Sequence, residues 1–250
     1  MIVLKSSKDL ESMRKGGIIL GSVFSLLREH LKVGVTAKFL DDLARDHIIN
    51  AGGRPSFLGY RGFKYTLCVS RNEEVVHGLA NAEKIVLPGD VWSIDCGVYY
   101  EGFHVDAART FTIEPVTKEV SKLVNVTKEA FFECIKFARH GNRLGYVSNA
   151  LQTYVENNGF SVVKDLYSHG VGKELHEDPL IPNFGKRESG VVMKSGMTFA
   201  IEPMVNIGSH HVLTLPDKWT IITRDKKFSA HYENTICITD GEPEILTLEK

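Results

Sequence analysis

Five side chains able to bind a metal stand far apart in this chain: Asp95, Asp106, His169, Glu202 and Glu233. Each lies in an apolar run that reads as a β-strand or its edge. Carboxylates placed there call for a compensating cation, because an unpaired buried charge is costly. The nearest pair makes the sharpest case. Asp95 lies in Val91-Trp92-Ser93-Ile94-Asp95-Cys96-Gly97-Val98, and Asp106 lies in Phe103-His104-Val105-Asp106-Ala107-Ala108-Arg109-Thr110-Phe111. The intervening Tyr99-Tyr100-Glu101-Gly102 predicts a hairpin. With Tyr100 and Glu101 at the tip, residues whose numbers sum to 201 face each other, which sets Asp95 opposite Asp106 on one face. Like charges opposed across strands are destabilising. Such a pair shares a proton or holds a metal, and Glu202 and Glu233 in similar runs favour the metal.

Four carboxylates and one imidazole can bridge two divalent ions. Donors this rich in oxygen suit Mn, Fe, Co or Zn better than a thiolate-type structural zinc site. Two ions about 3.5–4 Å apart lower the pKa of a water between them and polarise the bond to be cut, so hydrolysis is the expected reaction class. Any one of these acids alone would read as solvated or ion-paired; it is the set that argues for a metal. Three further histidines, His77, His104 and His176, need separate weighing, since a lone histidine beside apolar residues is usually a satisfied core group. Gly170 and Gly172 between His169 and His176 argue against a helix and for an exposed loop of close backbone approach. That suits one ligand and one supporting donor. Lys173 in this stretch lacks phosphate-loop spacing, and His176-Glu177-Asp178-Pro179 does not continue to the second histidine of a zinc-protease helix.

These residues must be positioned by a duplicated framework. Amphipathic spacing predicts long helices from about Lys8 to Leu31 and from about Lys118 to Ala138, followed by Gly34 and Gly141. Shorter helices follow, one carrying Phe39, Leu40, Leu43, Ala44 and Ile48, the other Val147, Ala150, Leu151, Tyr154 and Val155; they end at Gly52 and Gly159. Both glycine pairs are 18 apart, so the halves align with an offset of 107. That offset also carries Gly89 onto Gly196 and Asp95 onto Glu202. Asp106 and Glu233 are 127 apart, so matching them needs about 20 extra residues, placed at Ser209 to Lys227. Two helix-helix-hairpin halves about a pseudo-twofold axis would join their sheets with the carboxylates at the junction.

Bulk composition agrees with a single globular unit. The 250 residues are 43% hydrophobic, enough to bury a full core. Lys plus Arg number 30 against 31 for Asp plus Glu, which leaves no electrostatic footprint for nucleic acid or an anionic membrane. Cys68, Cys96, Cys134 and Cys237 form no C-x-x-C pair and are expected free in a reducing compartment. Lys5 and Lys8 interrupt the first apolar residues before a signal peptide or membrane span can form, so a cytoplasmic location is expected. Phe57, Tyr60, Phe63 and Tyr65 share a stretch punctuated by Gly59 and Gly62 that cannot be a regular helix. With Cys68 and Trp219 it could wall a pocket for a flexible unbranched side chain; ordinary packing is an equal reading.

Taken together, the motifs resemble those of the type I methionine aminopeptidases of peptidase family M24, in their short bacterial form. The resemblance runs from about Lys8 to the C-terminus and rests on Val76-His77-Gly78, Ile94-Asp95, Gly102-Phe103-His104-Val105-Asp106, Ser168-His169-Gly170-Val171-Gly172, Leu175-His176-Glu177, Ile201-Glu202-Pro203-Met204 and Tyr232-Glu233-Asn234-Thr235. It implies an α/β (α+β) architecture of the pita-bread type: two pseudo-twofold halves, roughly 8–113 and 114–240, with curved antiparallel sheets covered by helices, in one catalytic domain spanning 1–250. It implies two divalent ions per chain (Co, Mn, Fe, Zn or Ni), with Asp95 and Glu233 bridging, Asp106 completing one site, and His169 with Glu202 the other. By the same resemblance Glu202 is also the proton shuttle, His176 stabilises the developing oxyanion, and His77 contacts the scissile amide. Tyr60, Phe63, Cys68 and Trp219 match the methionine pocket, with Phe57 and Leu175 beside them. Ser168, Phe63 and Leu175 depart from the residues usual in that family. The implied partners are peptides beginning with Met, nascent chains and the ribosome surface, met by a monomer. A proline-specific peptidase of the same fold would share all five ligands but usually carries a substantial N-terminal domain. A binding protein that had lost its metals would have little reason to retain unpaired buried acids.

Overall fold

The computed structural model describes residues 2–249. Two pairs of helices each cover one β-hairpin. The first pair is α1 (Ser7–His30) and α2 (Ala37–Asn50), and the second is α3 (Lys118–Ile135) and α4 (Leu144–Asn157). Start signals are local: Ser6 and Asp9 form a reciprocal capping box on α1, while Thr36 and Thr117 accept from Phe39 N and Val120 N on α2 and α3. The short helices stop at Gly52 (φ 82°) and Gly159 (φ 88°), in the left-handed region that a Cβ disfavours. α1 turns Met13, Leu20, Phe24 and Leu27 inward, where they pack with Leu40 and Ile48 of α2 and with Trp92, Ile94 and Val105 of the first hairpin. A second core joins Leu123 and Phe131 of α3 and Leu151 of α4 to Phe199, Ile201 and Ile236 of the second hairpin.

The first hairpin is Val91–Tyr100 with Phe103–Thr112. The second is longer in sequence: Thr198–Ile201 and Met204–Asn206 run out, and Ser229–His231 and Glu233–Cys237 run back. The hairpins meet edge to edge in one antiparallel sheet, Glu233 opposite Ala108 and Asn234 opposite Ala107. Leu67–Arg71 flanks this sheet on one side, pairing Cys68 with Asp95, and Tyr167–Gly170 flanks it on the other, pairing His169 with Ala200.

The register of the first hairpin departs from the sequence expectation by two residues. Its tip is Glu101-Gly102, with φ of 45° and 93°, the positive angles that a two-residue type I′ loop demands. Tyr100 therefore pairs with Phe103, paired numbers sum to 203, Asp95 faces Ala108 and Asp106 faces Gly97. Side-chain direction alternates with period two, so a slip of two leaves both acids on the same face and makes them diagonal neighbours.

The second hairpin keeps one register throughout, Ile201 opposite Asn234 and Met204 opposite His231, which sets Glu202 against Glu233. With Glu202 matched to Asp95, the opposed partners Ala108 and Glu233 are 125 apart, so the second hairpin carries 18 extra residues (125 − 107). By register the counterpart of Asp106 is thus His231, whereas the sequence offset matches Asp106 with Glu233. The extra residues form the strands Val212–Thr214 and Ile221–Thr223, which pair with each other, the second also pairing with Glu74–Val76. Elsewhere the offset of 107 recurs: bridges join Thr36 to Ile85 and Arg143 to Val192. Among the described residues, no helix is long and apolar enough to cross a membrane.

Candidate active site

The strand ends converge on a cavity of about 420 Å³. Asp95, Asp106, His169, Glu202 and Glu233 all line it. So do His77 and His176, and the wall residues Phe57, Tyr60, Phe63, Cys68, Leu175 and Trp219. His104 does not: its Nδ1 bonds to Ser56 Oγ at 2.9 Å and its ring lies 4.7 Å from that of Tyr99.

Asp95, Asp106, His169 and Glu233 lie in strands, and Glu202 lies in the break between Thr198–Ile201 and Met204–Asn206. Asp106 is clamped by Thr235, whose Oγ accepts from Asp106 N at 2.8 Å and donates to Asp106 O at 2.9 Å. Arg109 donates to Glu233 O at 2.6 Å and to Asn234 Oδ1 at 2.8 Å, which holds the seam between the hairpins. His169 is buried in its strand rather than carried on an exposed loop; the loop proper begins after the bulge at Gly170. The expected close approach is real, since a Cβ on Gly170 would lie 2.2 Å from Asp178 O. Ser168, which departs from the family pattern, ties its strand to the carboxylate-bearing residue beside it, because its Oγ accepts from Glu202 N at 2.9 Å.

Donor atoms of Asp106, His169 and Glu233 lie within 4.8 Å of one another, and so do those of Glu202, His231 and Glu233. Nδ1 of His169 donates to Gly170 O at 2.8 Å, so the lone pair falls on Nε2, 3.6 Å from Glu202 Oε1. Asp95 Oδ1 and Glu233 Oε1 are buried with no hydrogen-bond partner. Burial pushes Asp95, Glu202 and Glu233 well above the usual carboxylate range, and the charge of Asp106 on each of them adds to this. Burial also raises Asp106 itself to about 7. Four acids crowded in this way are unfavourable until a cation reverses the local electrostatics. The donor set and its unmet oxygens therefore fit divalent ions. Burial lowers His169 to about 4, which keeps it in the neutral form a ligand needs.

The aromatic wall is a packed unit. The Phe63 ring meets Trp219 at 5.0 Å and Tyr65 at 5.8 Å, both edge-on, and Leu175 and Cys68 close the cluster. Burial keeps the Cys68 thiol well above its ordinary value, and all four cysteines are free. His176 bonds through Nδ1 to Tyr60 Oη at 2.9 Å and lies 4.3 Å, ring to ring, from His169. His77 sits at φ 58°, a rare backbone angle for a side-chain-bearing residue.

Sequence reasoning missed His231, whose Nε2 lies 3.6 Å from Glu202 Oε2. It also missed the cavity rim of Asp165, Tyr167 and Leu180. His231 had one usable signal: it stands two residues before Glu233 and so shares its face on an extended strand. The rim carried none.

A family model described as metallopeptidase family M24 matches residues 11–240. The chain belongs to metallopeptidase family M24. Among M24 relatives, a protein named methionine aminopeptidase from Clostridium perfringens is 49% identical over the full length of both chains. Methionine aminopeptidase 1 of Bacillus subtilis is 44% identical over 99% of each. The crystal structure of methionine aminopeptidase from Thermotoga maritima superposes with a TM-score of 0.98 at 43% identity, covering both chains completely. The fold is the pita-bread fold of these proteins. Prolidase from Pyrococcus furiosus shares that M24 fold at 20% identity and a TM-score of 0.80, and the match covers 66% of its length.

Proposed function

We propose that this chain removes the N-terminal methionine from peptides and nascent proteins with a small second residue. It would act in the cytoplasm as a monomer, near the ribosome surface where such chains emerge, as one catalytic domain built from the repeated halves 8–113 and 114–240. The supporting observation is the meeting, in one cavity, of a carboxylate and histidine cluster with a closed aromatic and thiol wall. The wall suits an unbranched thioether, because methionine can fill an irregular apolar space and sulfur packs well against ring edges.

Two divalent ions, of the Co, Mn, Fe, Zn or Ni kind, held by Asp95, Asp106, His169, Glu202 and Glu233, would supply an acidified water and polarise the scissile carbonyl. The residues of the chain do the rest. Glu202 accepts the proton of the attacking water and returns it to the leaving amine. His176 Nδ1 is bonded to Tyr60 Oη; in the tautomer where Tyr60 donates, Nε2–H is left to stabilise the oxyanion as it develops. His77, held below its ordinary pKa by burial, is a neutral contact for the scissile amide. Tyr60, Phe63, Cys68, Trp219, Phe57 and Leu175 grip the methionine side chain and exclude water from it.

The test is release of free methionine by metal-loaded protein from peptides beginning Met-Gly or Met-Ala. N-formylated or N-acetylated versions are expected to be inert, and Asp106→Asn is expected to abolish turnover. Cleavage of Xaa-Pro bonds in place of Met-Ala would move the reading to the proline-specific relatives. Turnover surviving complete chelation would overturn the metal mechanism.

A further inference from the structure

The five ligands do not account for every buried polar group at the site. His231 is 1% exposed, and its Nε2 has no hydrogen-bond partner. That atom stands 3.6 Å from Glu202 Oε2 and 3.8 Å from Glu233 Oε2. The backbone that carries it is pinned, because Thr110 Oγ1 donates to His231 O at 2.7 Å and accepts from His231 N at 3.0 Å. In the second hairpin His231 occupies the register position that Asp106 holds in the first. The duplicated framework therefore aims its ring into the same cluster from the other side.

The two oxygens of Glu202 face different neighbours. Oε1 lies toward His169 Nε2 at 3.6 Å, on the ligand side, and Oε2 lies toward His231. A buried ring nitrogen with no partner, facing an oxygen of the half-buried Glu202, is costly unless a hydrogen comes to lie between them. We infer that His231 is a positioning residue: its Nε2–H holds Glu202 through Oε2, so that Oε1 alone is presented to the ions and to the attacking water. The inference rests on the peptidase reading given above. A carboxylate left free at Oε2 could rotate or grip an ion with both oxygens. In either case the oxygen that must take the proton is lost.

The test compares His231→Gln, His231→Leu and the unaltered chain. Co(II) affinity is measured by calorimetry, the visible spectrum of the Co(II)-loaded protein is recorded, and kcat and KM are measured separately on a peptide beginning Met-Ala. The glutamine amide restores an N–H donor of similar reach, so its Co(II) affinity, spectrum and kcat are expected within about threefold of the unaltered chain. The leucine variant is expected to lose about 10–100-fold in kcat and in Co(II) affinity, the usual cost of removing a partner behind a ligand, with KM nearly constant. His231→Asn, whose amide stops short of Glu202, stands in if the leucine variant does not fold and is expected to match its losses. Loss of one Co(II) equivalent and a shifted spectrum in both the Gln and Leu variants would make His231 a direct ligand and overturn the inference. So would a leucine variant indistinguishable from the unaltered chain. Should the unaltered protein bind Co(II) yet release no methionine, the peptidase reading fails by itself, and the Co(II) measurements still decide the part played by His231.

Discussion

Asp106 offers a measurement of what burial does to a carboxyl at this site. Burial raises it from 3.8 to about 7. A carboxyl whose pKa is higher in the folded than in the unfolded chain stabilises the fold fully below about pH 4, and that stabilisation is lost as the pH rises through about 7. At pH 5 the difference favours the folded state by about 2–3 kcal/mol, at 1.36 kcal/mol per unit; at pH 8 almost nothing remains. His169 and His231 act in the opposite direction below about pH 6.5, because burial lowers them to about 4 and about 3. The pH curve of one protein alone therefore mixes both effects. Asp106→Asn removes the first, together with the charge by which Asp106 raises Asp95, Glu202 and Glu233, and keeps the second. Thermal unfolding of the two proteins in chelator should show the unaltered chain gaining on the variant by roughly 5–10 °C between pH 8 and pH 5, from about 2–4 °C per kcal/mol for a chain of this size. Melting curves of the two proteins that stay parallel across that range would refute the reasoning.

Two further outcomes are expected. A divalent ion at 100 times its Kd should add about 2.7 kcal/mol to the unfolding free energy measured in urea, and no shift with Mn, Co or Zn would remove the metal site. Lys5 reaches from the segment before α1 to Glu177 Oε2 at 2.5 Å, both side chains being largely buried. Lys5→Met should cost about 2–3 kcal/mol, below the usual range for a broken buried pair because Glu177 keeps some contact with water. It should also lower kcat by loosening the segment that carries His176, and an unchanged melting temperature with unchanged kcat would show the pair to be idle.

Much of this molecule is legible in its residues because its strongest signals are local. Caps at Ser6, Thr36 and Thr117 and the glycines at 52 and 159 bound the helices within a residue or two of where periodicity predicts. That Asp95, Asp106, His169, Glu202 and Glu233 meet in one cavity is legible because acids set in apolar strands are costly to keep apart from a cation. What was not legible depends on backbone angles and on contacts distant in sequence. The hairpin register turned on whether Tyr100-Glu101 or Glu101-Gly102 formed the tip, and only the positive φ of Glu101 and Gly102 decides it. The Val212–Thr214 and Ile221–Thr223 strands read merely as inserted length, because Glu74–Val76, on which Ile221–Thr223 pairs, lies far away in the chain. Yet the insertion is what delivers Trp219 to the Phe63 ring. His231 stayed hidden since its one signal, a shared face with Glu233 two residues on, gains meaning only when Glu202 is seen beside it.

The edge-to-edge seam at Ala107 and Ala108 against Asn234 and Glu233 has an outcome for anyone who divides the chain. Severed between Thr112 and Lys118, the protein would yield one fragment holding Asp95 and Asp106 and another holding His169, Glu202 and Glu233. Neither fragment owns a full set of donors, and a slip of one residue in docking would turn the acids away from each other. Catalysis by the mixed fragments would thus act as a reporter of correct complementation, silent for every misaligned assembly.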